Sequence, residues 1–180
     1  MKNQTDTRVL EKYNAYKLGW LHDSIHFIVL ILALFILFRF VIGFSIVGGD
    51  SMNPGLTDGT IVLYLRPVRN YRPGDVISMR VPSGDYYVKR VAAIGGDTVA
   101  LQDGQVLVNG EAVQEPWAEG ETREETGAVI YPYYVREGNV FVLGDNRAVS
   151  MDSRAFGEVN RRQIKGKILL QIGKHGIRRV

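Results

Sequence analysis

Hydrophobic residues follow two different patterns along this chain. From Ile25 to Phe38 almost every position is apolar, and after Arg39 the run resumes from Phe40 to Val47. From residue 60 on, apolar residues come in short groups or alternate with polar ones, and turn residues separate them. The first pattern predicts a helix that is apolar all round, which a buried helix of a small soluble domain rarely is. The stretch 25–47 would reach about 35 Å as a helix, enough for a bilayer core of about 30 Å. His26 and Arg39 sit near its ends, where they can snorkel toward water, and Trp20 falls where an interfacial aromatic would. A cleaved secretory signal is the competing reading. Gly48-Gly49 could supply its small-residue site, but the apolar core is long for one.

The second pattern predicts strands. Residues 60–65 are rich in β-formers, 75–81 alternate after a Pro73-Gly74 turn, and 86–92 form a third candidate. Asp103-Gly104 and Asn109-Gly110 each follow a short apolar run, which predicts two hairpins in a dozen residues. Residues 140–143 and 168–172 complete the strands. A short helix near Arg161 is the only soluble helix expected. The fold class is therefore mainly β: an antiparallel β-rich domain on one N-terminal transmembrane helix. The expected organisation is a cytoplasmic segment 1–24, an anchor 25–45 and an extracytoplasmic catalytic β domain 46–180, with a small insertion at about 98–137. Direction comes from basic residues. Lys2, Arg8, Lys12 and Lys17 precede the span, and after Arg39 the next is Arg66, so the N-terminus is expected in the cytoplasm and the remainder outside.

Composition narrows the chemistry. With no cysteine, a disulfide scaffold, a thiolate metal site and a cysteine nucleophile are all excluded. The net charge of +3 is unevenly placed, since residues 161–180 hold seven Lys or Arg and no acid. A solvated basic end is the plain reading, and contact with anionic lipid is the other. No aromatic-and-basic recognition motif accompanies the tail, so no nucleic-acid partner is expected. The histidines are His22, His26 and His175, two at or in the membrane segment and one near the end. A Ser-His-Asp triad is therefore improbable.

A serine hydroxyl still needs a base. Lysine can serve once burial against apolar neighbours disfavours its ammonium. Lys89 lies between Tyr86-Tyr87-Val88 and Val91-Ala92-Ala93-Ile94, a setting that could do this. Ser51 alone is as compatible with an ordinary turn, and Lys89 alone with a solvated strand lysine. What changes their weight is the stretch from Gly144 to Gly157. It packs two Arg, two Asp, two Ser and one Asn beside the apolar run Val140-Phe141-Val142-Leu143. Charges that dense beside a core strand predict a buried, mutually satisfied network.

In these blocks the chain resembles the compact, single-span bacterial type I signal peptidases, serine peptidases of family S26. The matching blocks occur in order: the anchor; Gly49-Asp50-Ser51-Met52-Asn53-Pro54; Tyr87-Val88-Lys89-Arg90-Val91 followed by Gly95-Gly96-Asp97; and Gly144 to Gly157. The resemblance implies Ser51 as nucleophile, neutral Lys89 as general base, and Ser150 as the hydroxyl that orients the lysine. It also implies the Ser51 N–H as part of the oxyanion hole. Some members carry a further serine hydroxyl where this chain has Gly49, so a backbone N–H or a water would stand in. Arg90 with Asp145, together with Arg147, Asp152 and Arg154, would form a structural polar network. The implied substrates are preprotein signal peptides with small residues at −1 and −3. They would add as an extended strand beside residues 47–50 (Val47, Gly48, Gly49 and Asp50) and 86–88, with Val47, Met52, Leu56, Tyr87 and Val88 lining the pockets. For Leu56, core packing is an equal alternative. Phe40, Ile42 and Phe44 would dip into the membrane interface. No cofactor or metal is implied, and a monomer is expected. Two rivals are a repressor-type Ser-Lys autoprotease and an inactive tethered scaffold. A span in place of a DNA-binding domain argues against the first, and the retention of Ser51, Lys89 and Ser150 against the second.

Overall fold

The computed structural model describes residues 3–66, 68, 70–81, 83–125, 129–173 and 176–180, with helix side chains described at 16–17 and from 19 onward. His175 lies outside this set, as do residues 126–128, the last three of a stretch from 114 that carries five Glu and is called the acidic stretch below. The chain forms two compact units, Met1–Val41 and Ile42–Val180.

The first unit is helical. Helix α1 (Asn3–Ile36) closes with a wider π-helical turn, Leu37–Val41. Within it, Gly19–Val41 is long and apolar enough to cross a membrane, and its side chains are exposed from Gly19 through Ile36. The helix stops at Val41, so the apolar residues Ile42–Val47 are strand and loop rather than part of the span. Pairing explains the change. Gly43 lies against the Tyr64 ring where a β-carbon would not fit, and the flanking residues join a ladder.

The second unit is built from β1 (Ile42–Ile46), β2 (Ile61–Leu65), β3 (Val76–Arg80), β4 (Tyr86–Ile94), β5 (Thr98–Gln102), β6 (Gln105–Val108) and β7 (Glu111–Ala112). It continues with β8 (Tyr133–Tyr134), β9 (Asn139–Leu143), a single-turn α2 (Ser153–Phe156), β10 (Val159–Asn160), β11 (Ile164–Gly173) and β12 (Gly176–Arg179). The larger sheet runs β1-β2-β11-β3-β4-β9-β10, with β12 also paired to β11; the smaller runs β7-β6-β5-β8. The ladders between these strands are all antiparallel. Asp103-Gly104 and Asn109-Gly110 have positive φ throughout, the geometry that matches a tight turn to strand twist. Near Arg161 the chain makes a 3-10 turn, Arg161–Gln163, closed by a capping box from Asn160 and Gln163.

Buried residues divide into three clusters. One packs Ile77, Met79, Val91, Val140 and Val142; a second packs Val47, Met52, Leu56, Val62, Tyr64 and Ile168. The third joins the two sheets through Phe141 and Leu143 of β9 against Val99 and Val106. Strand β9 is buried along its whole length, which is why its sequence is an unbroken apolar run rather than an alternating one.

One sheet face has no cover among the described residues of this unit. Residues directly opposite in antiparallel strands share a face. Ile46 pairs with Ile61, Ile61 with Ile172 and Ile172 with Ile177; Phe44 pairs with Leu63, Leu63 with Leu170 and Leu170 with Arg179. Phe44, Ile46 and Ile177 are 73%, 67% and 68% exposed. The opposite face of the same strands carries Val62, Tyr64 and Ile168, which are core.

Candidate active site

Ser51 sits on the turn that follows β1. That turn is pinned from below, because the neighbouring Met52 and Leu56 are core residues and the Leu56 N–H donates to the Met52 carbonyl at 2.7 Å. The Asn146 N–H donates to the Ser51 carbonyl at 3.1 Å, which ties the Ser51 turn to the polar stretch after β9. Lys89 projects from β4 and is 3% exposed. Its Nζ donates to Ser51 Oγ at 2.6 Å. Burial pulls the Lys89 ammonium down to about 8; Asp152 and Asp145 oppose the shift and Arg154 adds to it. An amine with that affinity can be neutral at mildly alkaline pH and take a proton from the hydroxyl it touches.

Beside this pair runs an open cleft of about 430 Å³, lined by residues 45–52 on one side and Tyr86–Lys89 on the other, with Ser78, Val149 and Met151. Both walls have spare backbone. Among the described residues, strand β1 pairs only with β2, and β9 joins β4 only from Arg90 onward, leaving one edge of Tyr86–Lys89 without a neighbouring strand. An extended peptide between these edges could hydrogen-bond to both. Gly48 and Gly49 have no atom within 4 Å of where a β-carbon would be, so a guest backbone can come close. The Gly49 N–H donates to Asp58 Oδ1 at 2.8 Å and is therefore already committed.

A buried network supports the site from behind. Arg90 grips Asp145 with two bonds, Nε to Oδ1 at 2.8 Å and Nη2 to Oδ2 at 2.7 Å, and stacks on Trp117 at 4.6 Å. Asp152 receives Arg154 on both oxygens, at 2.9 and 3.0 Å, and the Gly144 N–H at 3.0 Å. Arg154 Nη2 also donates to the carbonyls of Arg147 and Ser150. Arg147 Nε donates to the Gly144 carbonyl at 2.9 Å, while its other nitrogens meet Glu115 at 2.7 Å and the Thr122 hydroxyl. Backbone bonds join Glu119 to Asp145 and Arg147 to Glu119. The acidic stretch is thus a strap across the 144–154 segment.

Of the residues singled out from sequence, Ser51, Lys89, Val47, Gly48, Gly49, Asp50, Met52, Tyr87 and Val88 all line the cleft. Leu56 does not; it packs in the core beneath, with 1% exposure. Ser150 is buried beside Gly144, and its hydroxyl has no hydrogen-bond partner, so no bond joins it to Lys89 here. Sequence reasoning missed Ile46, Ser78, Val149 and Met151 in the cleft and Glu115, Trp117 and Thr122 in the network. Val149 and Met151 carried a signal: exposed apolar residues either side of Ser150 in an otherwise polar run. Among the described residues no cluster of potential metal ligands occurs.

The chain is similar in sequence to known proteins. The family model described as signal peptidase, peptidase S26, matches residues 20–172. A signal peptidase I of Bacillus licheniformis is 34% identical over 172 residues, 87% of this chain and 90% of its own. A signal peptidase IB of Staphylococcus aureus is 33% identical over 154 residues, 75% of this chain and 80% of its own. A crystal structure of a signal peptidase I from Enterococcus faecalis aligns with a TM-score of 0.49 at 30% identity, over 56% of this chain and 97% of that one.

Proposed function

The chain belongs to the S26 family of signal peptidases, serine endopeptidases that remove signal peptides, and we propose that it does so with a Ser51–Lys89 dyad held at the outer surface of the membrane. The observation that carries this reading is the 2.6 Å approach of the Lys89 amine to the Ser51 hydroxyl in a setting that weakens the ammonium.

Neutral Lys89 accepts the Ser51 proton as Oγ attacks the scissile carbonyl. The C–N bond then breaks, and Lys89 passes that proton to the departing amine, leaving an acyl-enzyme. Water, deprotonated by the same amine, attacks the ester; the acid is released and Ser51 regains its proton. The Ser51 N–H holds the oxyanion. Because the Gly49 N–H is engaged by Asp58, a bound water is the second donor. Ser150, whose buried hydroxyl is unpartnered, is assigned to orient the Lys89 amine.

Small side chains at −1 and −3 suit this cleft, whose walls are Val47, Met52, Tyr87 and Val88 with a narrow space between strand edges. The Gly19–Val41 helix is read as a single uncleaved span with its N-terminus inside. The uncovered sheet face, which starts one residue after that span, rests on the bilayer. Tethering brings the cleft to the place where a translocating signal peptide emerges, raising its effective concentration.

A preprotein cleavage assay tests the dyad. Ser51→Ala and Lys89→Ala should each lose on the order of 10⁴-fold or more in kcat. Undiminished cleavage by Lys89→Ala would remove the lysine base, and a wild-type chain that cleaves no preprotein would favour the tethered scaffold.

A further inference from the structure

We infer that β12 is an anionic-lipid contact, in which Arg178 and Arg179 hold one rim of the uncovered sheet face against acidic headgroups. This rests on the membrane reading above and names the lipid chemistry it selects. Three observations carry it.

The first is continuity. The uncovered face starts at Ile42, the residue after the span, and direct pairing carries it across β2 and β11 to Ile177. Four strands at about 4.8 Å spacing put Ile177 about 15 Å from β1, so a bilayer touching Phe44 and Ile46 is within reach of β12. The second is the composition of β12 itself. Ile177 and Arg179 lie on the uncovered face and Arg178 on the opposite one, and every described residue of the strand is exposed. An apolar residue followed along an exposed edge strand by two long cationic side chains suits a headgroup boundary, where the stems lie on lipid and the guanidiniums reach phosphate.

The third is charge. Among the described residues neither arginine meets a carboxylate, whereas Lys167 on the same face is paired with Asp75 at 2.5 Å. Residues 161–180 contain no acid at all. An apolar face alone would accept any lipid or a second protein. Two unpaired cations at its rim favour a negative surface.

Because the chain has no cysteine, one introduced cysteine can carry a nitroxide cleanly. Full-length protein labelled at Phe44→Cys or at Ile177→Cys would be reconstituted in phosphatidylcholine vesicles, or in equal parts phosphatidylcholine and phosphatidylglycerol. Label depth would be read from collisions with oxygen and with a water-soluble nickel chelate. The label at 44 should be in the bilayer in both lipids. The label at 177 should insert in the anionic vesicles. Its inserted-to-exposed ratio should fall about thirty-fold in neutral lipid, and likewise when Arg178→Gln and Arg179→Gln are combined. Salt at 1 M should lower it as well. Equal insertion at 177 in both lipids, with 44 inserted, overturns the anionic contact and leaves the membrane reading standing. A label at 177 shielded from both quenchers marks a protein partner and also overturns it. A label at 44 that stays in water in both lipids removes the membrane reading, and this inference with it.

Discussion

A β-carbon on Gly144 would lie 2.5 Å from the carbonyl oxygen of Ser51. The end of β9 therefore passes under Ser51 with room for a hydrogen and nothing larger. The same imagined atom would lie 2.5 Å from the Ser150 β-carbon, so three residues of the site meet at one point. Gly144→Ala must push the turn or the Ser150 segment aside. It should cost about 1–3 kcal/mol and lower kcat. Gly48→Ala is the control, since its β-carbon meets nothing within 4 Å. It should leave the melting temperature unchanged and raise KM, by filling space meant for substrate. Thermal melts with steady-state kinetics separate the two, and equal behaviour would discredit the packing argument.

Rate should depend on pH through Lys89. Burial brings its pKa to about 8, and only the neutral amine accepts the serine proton. Below that value kcat/KM should rise about tenfold per pH unit, levelling above it. A profile flat from pH 6 to 9 would show that some other group limits the reaction.

The same shift destabilises the fold at neutral pH. The unfolded chain holds a proton on Lys89 up to about 10.5, the folded chain only to about 8, so stability rises with pH between these values and is lowest below 8. Lys89→Met keeps the bulk and removes the charge. It should be more stable than the parent at pH 7, by on the order of 3 kcal/mol, with the gap closing toward pH 10.5. Denaturant melts at pH 7 and 10 measure it, and a less stable Met variant at pH 7 would contradict the assignment.

Asp145 and Arg90 act on stability rather than on substrate. Their side chains are 1% and 12% exposed, so Asp145→Asn strands a guanidinium and should cost about 3–5 kcal/mol. Replacing both, with Arg90→Met and Asp145→Leu, should recover much of that and a measurable share of activity. An inactive but stable double variant would instead give the pair a part in the chemistry.

What could be read from sequence followed from the length and regularity of each signal. Strands β3 and β4 and the β5-β6 hairpin alternate or carry Asn-Gly-type turns. Strand β1 was hidden because Ile42–Ile46 extends an apolar run; only its pairing with β2 and the tight fit of Gly43 on Tyr64 separate strand from helix. Strands β8 and β10 and helix α2 are too short to show a period. The proximity of Ser51 and Lys89 came through matching motifs, since no local pattern encodes a contact across 38 positions. Leu56 and Ser150 mark the limit in the other direction. Apolar type alone does not distinguish a pocket wall from the core below it, and a hydroxyl's rotamer is set by neighbours such as Gly144.

Arg147 joins two segments, one holding Glu115 and Thr122 between β7 and β8 of the smaller sheet and the other Gly144 at the end of β9. A search for a minimal protease would discard that sheet as decoration. Excision from 98 to 137 would orphan a guanidinium beside the Ser51 turn, so the excursion and the floor of the cleft have to be inherited, trimmed or transplanted as one piece.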